Sequence, residues 1–340
     1  MTVGRNRRDG SRKEAGGTSS SDRKTRVTVL VALGANLLIA VAKAVGGLVT
    51  GSPALLSEAA HSVADSFNEV FLLAALRRSR RPADRRHPFG YGKERFFWSL
   101  LAAVGIFVMG GCFSFFQGVE ALRSDTEESF GGYVAGLIVL GVALLAEGAS
   151  LARAVHQARG ERGKGTATSS RGALRDPALR TVIAEDGTAV LGVTLALVGM
   201  ALHMVTGQVV WEASASLAIG VLLVCVAFWL GRDARDQLIG EAADPELSRE
   251  VYALLAQQPE IDSVEALFTM KLGLDSTLVA ARIDLVPGLD SERVEEVAVR
   301  IKRSVVQAVP EIGEIFLDVT DAAAKEAERS PAATGERGGA

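Results

Sequence analysis

The sequence predicts an α-helical membrane protein with six transmembrane helices, followed by a small α+β cytoplasmic domain. Three observations carry that prediction. Six apolar blocks each reach the roughly 20 residues needed to cross a bilayer: Val27–Val49, Ala54–Leu76, Phe96–Leu122, Tyr133–Val155, Thr181–Val205 and Val209–Gly231. Lys and Arg gather on alternate connections between those blocks. After Arg235 the long blocks stop and the composition becomes that of a soluble domain. Hydrophobic residues make up 48% of the chain. Soluble domains also reach that share, so the arrangement in blocks decides.

Met1–Arg26 is rich in Gly, Ser, Arg and Lys and reads as a disordered basic arm. It lacks the apolar core and cleavage site of a secretory signal, so the first block is expected to stay as an anchor. In that block Asn36 and Lys43 share a helix face at i and i+7. Helix packing is expected of Asn36, and snorkelling to the interface of Lys43. The second block carries Glu58, His61, Asp65 and Asn68 along one stripe. The fourth holds Glu147, the fifth Glu185 and Asp186, and the sixth opens with Glu212. Glu147 and Glu212 read as helix-packing or vestibule carboxylates. His156 and His203 fall near span ends, where an interfacial histidine is expected. Cys112 and Cys225 lie within apolar blocks and resemble buried small hydrophobes instead of a disulfide framework.

Orientation follows from charge. The arm, the run Arg77–Arg95, the loop Arg153–Arg180, and Arg232 with Arg235 are basic. The alternate loops Thr50–Pro53, Arg123–Gly132 and Leu202–Gln208 contain a single basic residue, Arg123. Positive charge stays inside, so both termini are expected in the cytoplasm. Basic loops beside spans are explained by topology and by anionic lipid, not by nucleic acid.

In the soluble part, Pro245–Gln258 reads as a helix and Ser263–Leu272 as a strand. Thr277–Val286 alternates Val279, Ala281, Ile283 and Leu285 with Arg282 and Asp284, which is strand periodicity. Asp290–Val309 is an amphipathic helix and Glu314–Val319 a last strand. The order αββαβ predicts a small open sheet covered by helices on one face. Ala322–Ala340 is expected to be a loose tail.

His61 and Asp65 are the sharpest chemical signal. Residues four apart project from one helix face, and imidazole with carboxylate is a donor set for a divalent cation. Ionisable groups at membrane depth are expensive and mark function by default. Two ligands need about two more to complete a tetrahedral shell. Asp186 is the first candidate and Glu185 the next. Adjacent helical residues point about 100° apart, so the alternative is that Asp186 binds while Glu185 is a supporting, proton-accessible carboxylate. Polar pairs also tie helices together, which is the structural reading of His61 and Asp65. Asp84 and His87, before the turn-forming run Pro88-Phe89-Gly90-Tyr91-Gly92, read either as a second metal site or as a structural turn. No phosphate-cradling glycine loop and no nucleophile–base pair is present, so the chain is read as a non-enzyme.

The run Thr50–Asp65 (TGSPALLSEAAHSVAD), followed by His87–Gly92 (HPFGYG), resembles the cation diffusion facilitator family. The similarity extends from Val27 to Thr320. It implies six spans, a ferredoxin-like cytoplasmic domain, and a homodimer that exports divalent metal, mostly zinc, against protons. The metal is then cargo, with no cofactor. The resemblance sets His61 and Asp65 on the second-span half of the transport site. With Asp186 on the fifth-span aspartate and Gly192 on a following glycine, Val182 stands where a histidine is expected. Glu185 is expected to compensate, giving a site richer in oxygen, which suits manganese better than imidazole does. Asp84 and His87 match a second site, but Tyr91 replaces a further histidine. The cytoplasmic domain has no His, and Asp318 is its remaining metal candidate, so dimerisation without a full metal cluster is expected.

Alternating access is the expected mechanism, with protons competing for the metal's own ligands. The rival readings are an intramembrane metalloenzyme with Glu185 as base, a metal-sensing scaffold, and a passive channel. The Arg- and Ala-rich composition suggests a bacterial plasma membrane.

Overall fold

The computed structural model describes residues 17–123, 130–162, 177–273 and 276–320. Six long helices come first: α1 (Gly17–Thr50), α2 (Pro53–Arg78), α3 (Glu94–Ala121, with a π-helical stretch at Ile106–Cys112), α4 (Phe130–Arg162), α5 (Pro177–Thr206) and α6 (Val210–Ile239). Among the described residues, α3, α4, α5 and α6 are long and apolar enough to cross a membrane. The described apolar part of α1 is the shorter stretch Asn36–Thr50. In α2, Glu58, Asp65 and Glu69 fall within about three turns of one another and interrupt the apolar run.

Two expectations are corrected. The basic arm overlaps α1, which begins at Gly17; residues 1–16 lie outside the described part. The basic loop 153–180 is shorter than expected, because α4 continues to Arg162 and α5 starts at Pro177. The expected tail and residues 124–129 and 163–176 lie outside the described residues.

Tight turns join α1 to α2 and α5 to α6. Gly51 (φ 74°) and Gly207 (φ 68°) follow the ends of α1 and α5, and their amides bond back to Gly47 and His203. That left-handed conformation is the common glycine stop of a helix. Turns this short, two residues in the first case and three in the second, make the joined helices antiparallel neighbours. The shared core is built from Leu55, Leu140, Val193, Met200, Ile219 and Leu223. Leu38, Leu48, Phe116, Ile138, Leu145 and Phe228 stand outward, as apolar side chains do on spans that face lipid. Cys112 and Cys225 are also exposed, which corrects the burial expected of them.

α3 and α6 approach closely through glycine. A Cβ on Gly110 would stand 2.8 Å from the Leu223 side chain, one on Gly111 2.8 Å from Val224, and one on Gly220 2.9 Å from Phe115. Small residues allow this contact between spans.

The chain separates into two compact units. Of the described residues, one holds those up to Ala75 and those between Trp98 and Asp233; the other holds Leu76–Phe97 and those from Ala234 onward. In the second, α7 (Pro245–Ala256), β1 (Ile261–Lys271), β2 (Thr277–Leu285), α8 (Ser291–Ala308) and β3 (Ile312–Val319) follow in the expected order. Asp244 and Asp290 cap the helices, accepting from the amides of Glu246 and Arg293. The sheet order is β1-β2-β3, with β1 antiparallel and β3 parallel to β2. α8 supplies the crossover that a parallel pair requires. Val297, Ile301 and Val305 form its buried stripe, against Val279, Ala281 and Ile283 of β2. Each fully buried Val or Ile contributes about 1.5–3 kcal/mol.

The connection between α2 and α3 belongs with this unit, which the sequence did not reveal. Phe89 meets Phe316 edge-on at 6.4 Å, and Lys93 Nζ donates to the Leu238 carbonyl at 3.4 Å. Gly92 lies so close to the Leu272 carbonyl that a Cβ there would collide with it.

Candidate metal centre

The polar stripe of α2 faces α1 and α5. His61 is 3% exposed, yet neither ring nitrogen has a hydrogen-bond partner among the described residues. Nδ1 lies 3.6 Å from Asp65 Oδ1, too far for a hydrogen bond. Buried polar groups are almost always satisfied, so an imidazole left with both nitrogens unpaired marks a place for something else.

On α5, the neighbouring acids face different ways. Glu185 Oε1 accepts from Asn68 Nδ2 of α2 at 2.7 Å. Asp186 Oδ2 accepts from Ser150 Oγ of α4 at 2.9 Å. Their divergence follows from the angle between adjacent helical residues. Asp65 is within electrostatic range of Asp186, and Glu185 of Asp65, Glu69 and Asp186. The structure therefore brings the carboxylates of α2 and α5 to one region. Among the described residues, no three His, Cys, Asp or Glu are gathered closely enough to hold a metal in this conformation. The side chain of Val182 lies outside the described residues.

Two features escaped the sequence reading. Lys43 does not snorkel. It is completely buried, and its ammonium donates to Glu58 Oε2 at 3.0 Å, Ser62 Oγ at 3.0 Å and Glu147 Oε1 at 2.8 Å. It ties α1 to α2 and α4. Asn36, on the same face, donates to Glu69 Oε1 at 2.8 Å. The signal was the shared i, i+7 face, which points both residues at α2.

The second feature involves His203 and Glu212, both buried. His203 is no interfacial residue: Nδ1 lies 2.8 Å from Glu212 Oε1, and the Tyr133 hydroxyl is about as close to the ring. Ser52 Oγ donates to the other Glu212 oxygen. The N-terminal ends of α2 and α6, the start of α4 and the end of α5 are thus tied together.

Asp84 and His87 do come together, but as parts of a turn. Asp84 Oδ1 accepts from the amides of Arg86 and His87, and Oδ2 accepts from the Tyr91 hydroxyl at 2.7 Å. The Tyr91 bond, followed by that from the His87 amide, holds the Asp84 carboxyl below its usual range, while the same contact pushes the Tyr91 hydroxyl up. His87 packs against Tyr91 with the rings tilted and their centres 4.2 Å apart. Asp318 is paired with Arg282 at 2.8 Å.

Residues 29–239 match the profile of the cation efflux transmembrane domain. The chain is 33% identical to metal tolerance protein C4 of Arabidopsis thaliana over 78% of its length and 58% of the relative's. It is 32% identical to the human mitochondrial proton-coupled zinc antiporter SLC30A9 over 75% of its length and 45% of the relative's. The chain therefore spans about half the length of these relatives. With the manganese efflux system protein MneP of Bacillus subtilis it shares 24% identity over 88% of its length and 97% of that protein's.

Proposed function

Because this chain belongs to the cation diffusion facilitator family, whose membrane domain matches more than half of it, we propose that it exports a divalent metal cation by alternating access coupled to proton antiport. The observation that carries this reading is His61, buried with both ring nitrogens unpaired beside the carboxylates of α2 and α5. His61, Asp65 and Asp186 are the cation ligands, with Glu185 assisting. Protons and metal compete for the same nitrogen and oxygen atoms, so a site loaded by one is emptied by the other. The open arrangement of acids supports a loading state in which the carboxylates still have to close on the cargo.

Zinc is the first cargo in this proposal, with manganese, cobalt and iron next. The named activities of the human and Bacillus subtilis relatives favour zinc and manganese, and the oxygen-rich α5 half suits manganese. All six long helices cross the plasma membrane, both termini are cytoplasmic, and the second unit is a ferredoxin-like domain. It serves a homodimer. Phe268, Ala280 and Phe316 stand in one row across the sheet, and both phenylalanines are exposed, which supports a second copy covering that face. Asp84 and His87 build a turn in this reading, since both Asp84 oxygens are engaged.

The test is metal-dependent proton flux in proteoliposomes. Asp65→Ala abolishes it while the protein stays folded. Flux equal to that of the unaltered protein would remove Asp65 from the site.

A further inference from the structure

We propose that Lys43 is a tethered counter-cation of the transport site: its ammonium holds Glu58 in the cargo-free protein, and an incoming dication takes Glu58 from it. The inference rests on the transport-site reading above and adds Glu58 as a ligand and Lys43 as its competitor.

Charge is the first argument. Lys43 is bonded to two carboxyl groups, Glu58, which is fully buried, and Glu147, which is 16% exposed, so a single ammonium serves two acids. Its three N–H donors are all used, on Glu58, Glu147 and Ser62, and an ammonium has no more to give. Glu58 Oε1 and Glu147 Oε2 are consequently left buried without hydrogen bonds among the described residues. Fastening α1 to α2 and α4 accounts for the bonds that are made, but not for the second oxygen of each acid, left buried without a donor. A half-satisfied polar network is costly in a low-dielectric interior, and this one is short of donors.

Position is the second argument. Glu58 precedes His61 by three residues, which places them on one helix face, and the two are within electrostatic range of each other. The free oxygen points at α5: a Cβ on Gly192 would collide with Glu58 Oε1. Glu58 thus offers its unused oxygen between α2 and α5, the two helices that carry Asp65, Glu185 and Asp186. Lysine suits an exchange of this kind. Its ammonium is a point charge on a flexible four-carbon stem, where an arginine would grip a carboxylate with a fixed fork. When the dication leaves, the tethered ammonium returns and keeps the emptied carboxylates from facing one another unpaired.

The test uses the full-length protein in lipid nanodiscs, titrated with zinc against a fluorescent chelator, and zinc uptake into proteoliposomes. Lys43→Met tightens zinc binding at least about fivefold, the low end of ordinary coupling between two ligands. It lowers KM and slows maximal uptake, because release now lacks its competitor. Lys43→Arg keeps the charge and restores affinity toward that of the unaltered protein. Glu58→Gln weakens zinc binding by a similar factor. Should Lys43→Met fail to fold, the double variant Lys43→Met with Glu147→Gln removes one charge of each sign and carries the same expectation. Zinc affinity unchanged or weakened without the ammonium would make Lys43 a strut and overturn the inference. Loss of binding in Asp65→Ala alongside that result would sink the counter-cation alone. Unaltered binding in Asp65→Ala would sink the transport site and this inference with it.

Discussion

His203 Nδ1 lies 2.8 Å from Glu212 Oε1 across the turn between α5 and α6, with both side chains shielded from solvent. Removing one member of a buried hydrogen-bonded network leaves its partners unsatisfied, a loss of about 1–3 kcal/mol. Glu212→Ala is therefore expected to lower the melting temperature of the purified protein sharply, because Ser52 loses its acceptor as well. A melting curve superimposable on that of the unaltered protein would show that the pair does not hold this end of the bundle.

In the proposed site, Glu185 is the residue expected to tune which metal is preferred. Glu185→Gln keeps an acceptor for Asn68 but removes an oxygen able to bind metal as a carboxylate from the α5 half. Manganese uptake is expected to fall more than zinc uptake, shifting their ratio roughly tenfold, the low end of what a lost supporting group costs in metal affinity. Competition among zinc, manganese, cobalt and iron in proteoliposomes reads this directly. An unchanged ratio would remove Glu185 from selectivity.

Tyr91 links stability to acid. Its hydroxyl bond helps hold the folded Asp84 carboxyl below the ordinary value of 3.8. A carboxyl depressed on folding stabilises the native state above its unfolded value, and that stabilisation drains away as pH falls through the folded value. Tyr91→Phe moves the folded value back toward the unfolded one. The variant should be less stable than the unaltered protein at neutral pH, with the gap closing below pH 3.8. Denaturant midpoints measured across that range test it, and a gap that persisted undiminished in acid would refute the role of the bond.

Gly92→Ala tests how Leu76–Phe97 is anchored. The added carbon would meet the Leu272 carbonyl and come within 3.1 Å of the Gly273 Cα, and backbone cannot step aside as a side chain can. Overpacking of this kind costs about 1–3 kcal/mol. Faster limited proteolysis within residues 76–97 is expected. Cleavage at the original rate would mean that the close approach is not maintained in solution.

Much of the fold was legible in the sequence because hydropathy and period are local properties. The six apolar blocks and the alternation of Val279, Ala281 and Ile283 depend only on neighbours in the chain. His61, Asp65, Glu185 and Asp186 could be singled out because charge in an apolar run is conspicuous wherever it sits. Lys43 was misread because its fate depends on Glu147, 104 residues away. Seen alone, a lysine in a span snorkels. His203 and Glu212 fell near span ends, where only packing separates the interior from the interface. The cysteines failed for a related reason: a helix apolar all round gives no period to say which face meets lipid.

The glycine contact between α3 and α6 bears on how such a protein can move. Neither Lys43, Glu58 and His61 nor Asp65, Glu147, Glu185 and Asp186 belong to these two helices. Gly110, Gly111 and Gly220 each receive a side chain of the opposite helix, Leu223, Val224 and Phe115, so the pair is held by close packing, and prying it apart exposes both surfaces at once. A single bulky substitution at Gly110 or Gly220 would force α3 and α6 apart without touching any charge.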